Sequence, residues 1–264
     1  MSYLKDKKIL LTGATGGFGQ EFTRQLLQQG SQLILTDMDS DALEKKAAEI
    51  KDQCQGSSRS ILGVFAYDLS TAEGCENVYK RCKEISPHVD ILINNAGILT
   101  YGYFHEHPAG AIKKIIDVNV LAPMLLARLF LADMTARRSG HIVFLSSLAS
   151  VIPTAFETSY TATKCAIRGF GMALHREVLP LGIAVTNIYP TYADTNMLNT
   201  KAFGSITIKR VSSFMIYSPK LVVRHAIRGI AKRRLHVFPG LQASLYSQAA
   251  KLWPMVYAIP LEKK

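Results

Sequence analysis

Short apolar runs recur along the chain, each followed by a longer stretch whose apolar positions fall three and four apart. Lys8 to Thr12, Gln32 to Asp37, Ile61 to Asp68, Val89 to Asn94, His141 to Ser146 and Ala184 to Tyr189 are apolar over most of their length. They are too short for buried helices, so they are predicted as six strands. Helices are predicted over about Phe18–Gln29, Ala42–Cys54, Glu73–Ile85, Ala109–Arg137 and Thr158–Leu179, with loops at Gln55 to Ser60 and Ala96 to Pro108. Strands that are apolar on both faces and alternate with helices imply a parallel sheet covered on each side. The expected architecture is α/β: a three-layer, doubly wound parallel sheet. No repeat or linker divides it, so residues 1–240 are read as one domain and 241–264 as a C-terminal apolar tail.

Bulk properties narrow the class. A chain of 264 residues that is 48% hydrophobic suits one domain with a sizeable core. Met1 to Lys8 is polar, which is unlike a secretory signal. No run of about 20 uncharged apolar residues exists. The longest candidate, Val120 to Met134, carries Arg128 and Asp133, so no spanning helix is expected. Cys54, Cys75, Cys82 and Cys165 form no C-x-x-C pair and read as ordinary thiols of a reduced, cytoplasmic protein. The formal net charge is +11. Residues 1–200 balance 19 basic residues against 19 acids; residues 201–264 hold 12 against one, Glu262. The whole excess therefore sits in the last quarter.

Candidate chemistry clusters at strand ends. Thr12-Gly13-Ala14-Thr15-Gly16-Gly17-Phe18-Gly19 follows the first strand and opens the first helix. Glycines there permit a tight turn and close approach of a pyrophosphate to helix N-terminal amides. Asp37 ends the second strand, where an acid can accept from an adenosine ribose and repel a 2′-phosphate. No Arg or Lys lies in the glycine turn, so NAD is favoured over NADP as cofactor. Asp68 and Leu69 end the third strand, within reach of an adenine edge. Asn94-Asn95-Ala96-Gly97 ends the fourth, and its small residues would let a nucleotide lie on the backbone. Tyr160 and Lys164 are four apart, on one helix face. An ammonium beside a phenol favours the phenolate, so Lys164 is expected to lower the Tyr160 pKa from ~10 toward working pH.

These residues, with Asn119 and Ser147 in the same order, resemble the short-chain dehydrogenase/reductase family of Rossmann-fold enzymes over about residues 5–240. The resemblance implies a catalytic set. Tyr160 is its acid/base, Ser147 holds the substrate oxygen, Lys164 bonds the nicotinamide ribose, and Asn119 positions a water in a proton relay. It also implies a homodimer or homotetramer through the helices around 109–137 and 158–179. The adjacent Ser146 is read as loop support. One departure stands out: Pro190-Thr191 replaces the family Pro-Gly, and a β-branched residue tolerates positive φ poorly, so this loop is expected to take another path. Thr195 remains where a family threonine meets the nicotinamide amide.

Tyr101, Tyr103, Phe104, Ala149, Phe156, Tyr192, Met197, Leu198, Phe203 and Met215 are expected to border an apolar pocket, with a helical substrate lid over about 196–216. They suit a hydrophobic alcohol or ketone such as a steroid, retinoid or fatty-chain compound; core or lid packing gives the same composition. His105-Glu106-His107 lacks metal-binding spacing and His141 and His175 read as structural, so no metal is expected. The basic run Lys209, Arg210, Lys220, Arg224, Arg228, Lys232, Arg233 and Arg234 precedes a tail, Leu241 to Leu261, containing Trp253 and Met255. Three readings stay open for it: a solvated helix face beside an oligomer contact, steering of an acidic substrate, or peripheral docking on anionic lipid. No nucleic-acid motif accompanies the charge. The expected function is hydride transfer between NAD and a secondary alcohol or ketone; the alternatives are an NADPH-dependent carbonyl reductase and a low-turnover dinucleotide-binding scaffold or sensor.

Overall fold

The computed structural model describes residues 3–54, 61–206, 216–241 and 243–245. The loop 55–60, Lys209, Arg210 and Met215 of the expected lid region, and most of the tail with Trp253 and Met255 lie outside the described residues. Seven parallel strands form one sheet: β1 (Lys8–Thr12), β2 (Gln32–Asp37), β3 (Ile61–Ala66), β4 (Ile91–Asn94), β5 (Gly140–Leu145), β6 (Ile183–Ile188) and β7 (His236–Val237). Their order is β3-β2-β1-β4-β5-β6-β7. The order reverses between β1 and β4, which places a crevice at the carboxyl ends of those two strands.

The pleat explains the three layers. Ile9 and Leu11 of β1 face one core and Leu10 the other; Ile91 and Ile93 of β4 alternate with Leu92 in the same way. The first core is closed by α1 (Gly17–Gln28), α2 (Ser40–Gln53) and α7 (Pro219–Ala231), through Phe22, Leu43 and Val223. The second is closed by α3 (Ala72–Ile85), α5 (Ala122–Ala136) and α6 (Thr158–Val178), through Val78, Phe130 and Ile167. Caps set the helix starts: Asp39 accepts from Ala42 N at 3.0 Å and Thr71 from Gly74 N at 3.0 Å. His141 is wholly buried, with Nε2 2.8 Å from Thr186 Oγ1, and burial pulls its pKa down to about 3.

Three features differ from expectation. The stretch 109–137 is not one regular helix: α4 (Ala109–Ile116) passes through a single wide π turn, Asp117–Leu121, into α5. Helix α7 and strand β7 had been hidden by the basic run. Yet Ser218 caps α7 at Leu221 N, Pro219 opens it, and Val222, Val223, Ala226, Ile227 and Ile230 are buried at helical spacing. Finally, Ala109–Ala136 is long and apolar enough to cross a membrane by length and composition, with mean hydropathy 1.9 over 18 residues. The expectation had required an uncharged run. In the fold, Leu126, Ala127, Phe130 and Met134 of this helix are buried against the sheet.

Candidate active site

The glycine turn is built by contacts that leave no room for side chains. Gly13 has φ +65°, and a Cβ there would lie 2.7 Å from Ala96 Cα. At Gly17 a Cβ would lie 2.6 Å from Thr195 Cγ2, so the loop after β6 closes directly on this turn. Asn95 Nδ2 donates to the carbonyls of Thr12 and Gly13, both at 2.9 Å. Thr12 Oγ1 accepts from Asn95 N at 3.1 Å and Ala96 N at 3.0 Å. The small residues after β4 therefore brace the turn. Gly16 caps α1 with no side-chain bond, and no acid occupies the first turn, so the leading amides of Gly17, Phe18 and Gly19 face the crevice without a capping group.

Asp37 sits beside this turn. Its Oδ2 accepts from Thr15 N at 2.8 Å and Thr15 Oγ1 at 2.6 Å, and its Oδ1 from Met38 N at 2.8 Å. The carboxylate thus orders the turn, and it keeps acceptor capacity on Oδ1. Asp68 is exposed and accepts from Ser70 N at 2.8 Å, which holds its carboxyl below the usual range. Leu69 beside it is buried.

The catalytic candidates converge at the ends of β4 and β5 and on α6. Ser147 follows β5; its Oγ accepts from Ala149 N at 3.1 Å and donates to Pro190 O at 3.5 Å, and it stands close enough to the Tyr160 phenol to oppose the rise in its pKa. Lys164 Nζ lies 5.4 Å from the centre of the Tyr160 ring and donates to Leu145 O at 2.8 Å. A Cβ at Gly97 would lie 3.5 Å from Lys164 Nζ and 3.3 Å from Asn119 Oδ1, so glycine keeps that space open. Asn119 is buried in the π turn. Its side chain clamps Ile98, accepting from Ile98 N at 2.8 Å and donating to Ile98 O at 2.9 Å, and it reaches Thr163 Oγ1 at 3.2 Å. Both Nδ2 hydrogens are occupied by protein, so the side chain acts first as a positioning group. Ser146 Oγ donates to Lys164 O at 3.0 Å, bracing the same helix turn.

Electrostatics correct one expectation. Tyr160 is held above its ordinary pKa, chiefly by burial, with the charges of Glu157 and Tyr192 adding to the rise and the nearby Ser147 hydroxyl opposing it. Lys164 is drawn down to about 8 by burial. Desolvation disfavours both charged forms here and outweighs the expected lowering of the Tyr160 pKa by Lys164.

The loop after β6 is consistent with a β-branched residue that avoids positive φ: Thr191 is not among the positive-φ residues. Pro190 O accepts from Leu148 N at 2.8 Å. Thr191 Oγ1 is buried without a hydrogen-bond partner.

Aromatic candidates gather beside Tyr160. Phe156 meets Tyr103 edge-on at 5.3 Å and Tyr101 at 6.0 Å. Phe203 N donates to Tyr101 O at 2.8 Å, and Ser205 Oγ donates to Glu106 at 2.9 Å, so the described start of the lid region is tied to the loop after β4. That start is one short turn, Asn196–Asn199, carrying half-buried Met197 and Leu198. Ala149 is buried, and Phe104 is exposed with its ring 6.1 Å from His107. Among the described residues no cluster of metal-ligating side chains occurs. Sequence reasoning passed over Glu157, although an acid at the start of the predicted helix, three residues before Tyr160, stands close to it in the chain.

Comparison with known proteins follows this geometry. The profile of the family described as short chain dehydrogenase matches residues 7–203. Dehydrogenase/reductase SDR family member 7B of Xenopus laevis is 28% identical over 263 residues, spanning 97% of this chain and 81% of that protein. A short-chain dehydrogenase from Sphingobium yanoikuyae in complex with NADPH superposes with a TM-score of 0.79 at 24% identity, covering 98% of each chain. Another, from Burkholderia phymatum in complex with NAD, gives a TM-score of 0.82 at 20% identity over 100% of this chain and 99% of that one. At these identities the two solved structures speak to the fold.

Proposed function

The chain belongs to the short-chain dehydrogenase family, and from that premise we propose that it transfers a hydride between a nicotinamide cofactor and a secondary alcohol or ketone. The observation that carries this reading is Lys164 Nζ 5.4 Å from the centre of the Tyr160 ring, with Ser147 close to the same phenol.

The residues fit a dinucleotide. Side chains at Gly13 or Gly17 would fill the cradle, and the first amides of α1 are free to meet a pyrophosphate. Asp37 would meet the adenosine ribose; Asp68 and Leu69, the adenine edge; Asn95, Ala96 and Gly97, the nucleotide; Pro190 and Thr195, the nicotinamide end. A bound nicotinamide supplies or accepts the hydride. In reduction, Tyr160 donates its proton to the developing alkoxide while Ser147 Oγ hydrogen-bonds the same oxygen. The raised Tyr160 pKa keeps that hydroxyl protonated at neutral pH, as a donor requires. In the reverse direction Tyr160 must take the alcohol proton, and Lys164 is the cation placed to stabilise its phenolate.

NAD is the favoured cofactor, because the Asp37 charge opposes a 2′-phosphate and Thr15 supplies no cation to offset it. The rings of Tyr101, Tyr103, Phe156 and Tyr192 support a hydrophobic alcohol or ketone. The exposed apolar side chains Ile116, Leu121, Met124 and Met172 along α4 to α6, with Leu179 at the end of α6, support a homodimer or homotetramer. Lys220, Arg224 and Arg228 on α7 and Lys232 at its C-cap form an exposed stripe four residues apart with no acidic partner within ion-pair distance among the described residues. They support a cytoplasmic protein that contacts anionic membrane surfaces.

The test combines cofactor titration with Tyr160→Phe. NADH should bind more tightly than NADPH by nicotinamide fluorescence, and Tyr160→Phe should keep that binding yet lose about a hundredfold or more of turnover. Persistence of turnover in Tyr160→Phe would refute the chemistry, and tighter NADPH binding would reverse the reading of Asp37.

A further inference from the structure

Glu157 has no part in the mechanism above, yet it is the N-cap of α6, three residues before Tyr160. It is 7% exposed. Its carboxylate makes no hydrogen bond or ion pair among the described residues, yet its oxygens are not among the fully enclosed unpartnered atoms, so they keep a narrow opening to solvent. A mostly enclosed carboxylate with little water and no protein partner is a ready acceptor for a donor that reaches it. The groups that sense its charge are the phenols of Tyr160 and Tyr192. Lys164 is turned away, toward Leu145 O.

The main chain fixes where this acid begins. Phe156 has φ +66°, a left-handed conformation that costs energy in a non-glycine residue. Gly102 N donates to Phe156 O at 2.9 Å and holds the bend. The Phe156 ring in turn packs on Tyr101 and Tyr103. A mostly enclosed acceptor without a protein partner therefore follows the strained Phe156 and precedes the reacting hydroxyl by three residues.

We propose that Glu157 is a specificity-determining residue that accepts a hydrogen bond from a hydroxyl or ammonium group carried by the substrate near its reacting carbon. This rests on the hydride-transfer reading of the same site. Such a donor completes the bonding of Glu157, whereas an analogue without it leaves the acid with only the residual water that its narrow opening admits. Sites built to bond a substrate donor reject analogues lacking it far more strongly than apolar pockets reject a missing methylene. Aromatic faces beside a carboxylate also suit an ammonium.

The test uses the full chain saturated with NADH or NADPH and three ligand pairs: phenacyl alcohol against acetophenone, β-hydroxypropiophenone against propiophenone, and phenacylamine against acetophenone. Calorimetry reads binding whether or not turnover occurs. The parent should prefer at least one donor-bearing partner about tenfold or more, a typical loss for one charged hydrogen bond. Glu157→Leu should erase that preference without weakening the plain ketone; Glu157→Gln should retain some hydroxyl preference and lose any ammonium preference. No preference in the parent, or a preference that survives Glu157→Leu, overturns the proposal. Discrimination without turnover would instead sink the hydride-transfer reading, and turnover without discrimination would spare that reading and sink this one.

Discussion

Glu157 caps the start of α6 three residues before Tyr160, and burial acts on both in the same sense: the neutral form is favoured. The Glu157 carboxyl is raised from 4.5 to about 7. An acid whose folded pKa exceeds its unfolded value opposes folding once it must ionise. Between pH 4.5 and 7 the folded state holds more protons than the unfolded state, so stability falls as pH rises through that window and levels off above it. The shift corresponds to about 3.5 kcal/mol at most, at ~1.4 kcal/mol per unit. Glu157→Gln should therefore be more stable than the parent by about 1–3 kcal/mol at pH 8 and nearly equal to it near pH 4. Urea unfolding at the two values checks this, and an equal difference at both would refute it. Lys164 was expected to pull Tyr160 down from its spacing alone. Spacing puts two groups on one face, but it carries no information about how much water reaches them.

At the level of elements, the glycine turn and the π turn do different work. The turn before α1 is tight because Gly19 packs on the backbone of Gly13 and Ala14; a Cβ at Gly19 would lie 2.7 Å from Ala14 Cα. Gly19→Ala should displace the turn, weaken NADH binding about tenfold or more, and cost about 1–3 kcal/mol of stability, the usual penalty of overpacking. Fluorescence titration and thermal melting together check both effects; unchanged NADH affinity would mean that the turn does not carry the cofactor. The π turn lets Asn119 face Ile98 and Thr163 from within a helix that otherwise continues from Ala109 to Ala136. Helical periodicity predicts such a helix but not the wide turn inside it, because one extra residue leaves the pattern of apolar positions nearly intact.

Across the whole molecule, charge is segregated. The acids and bases of residues 1–200 cancel, and the excess lies C-terminal to them, in part as the outer stripe of α7. Each basic residue near an anionic leaflet contributes about 1 kcal/mol. The combined change Lys220→Glu, Arg224→Glu and Arg228→Glu should therefore reduce binding to phosphatidylserine vesicles about a hundredfold or more at low salt, while neutral vesicles show no difference. Co-sedimentation provides the measurement, and equal recovery of parent and variant would count against a membrane role for this face.

Six of the seven strands, the layered architecture and the positions of Ser147, Tyr160 and Lys164 were legible in the chain, because apolar runs, glycine-rich turns and four-residue spacings are local patterns. Strand β7 was not: two residues beside Asn187 and Ile188 have no signature until the sheet presents an edge to them. Contacts between distant segments also decided that Asp37 binds Thr15, that Asn95 braces the turn after β1, and that Thr191 passes without a positive φ. The same holds for charge. A sequence names the titratable groups, but desolvation is set by what the fold packs around them. That is why Tyr160 moves up, Lys164 moves down, and Glu157 stands buried beside them.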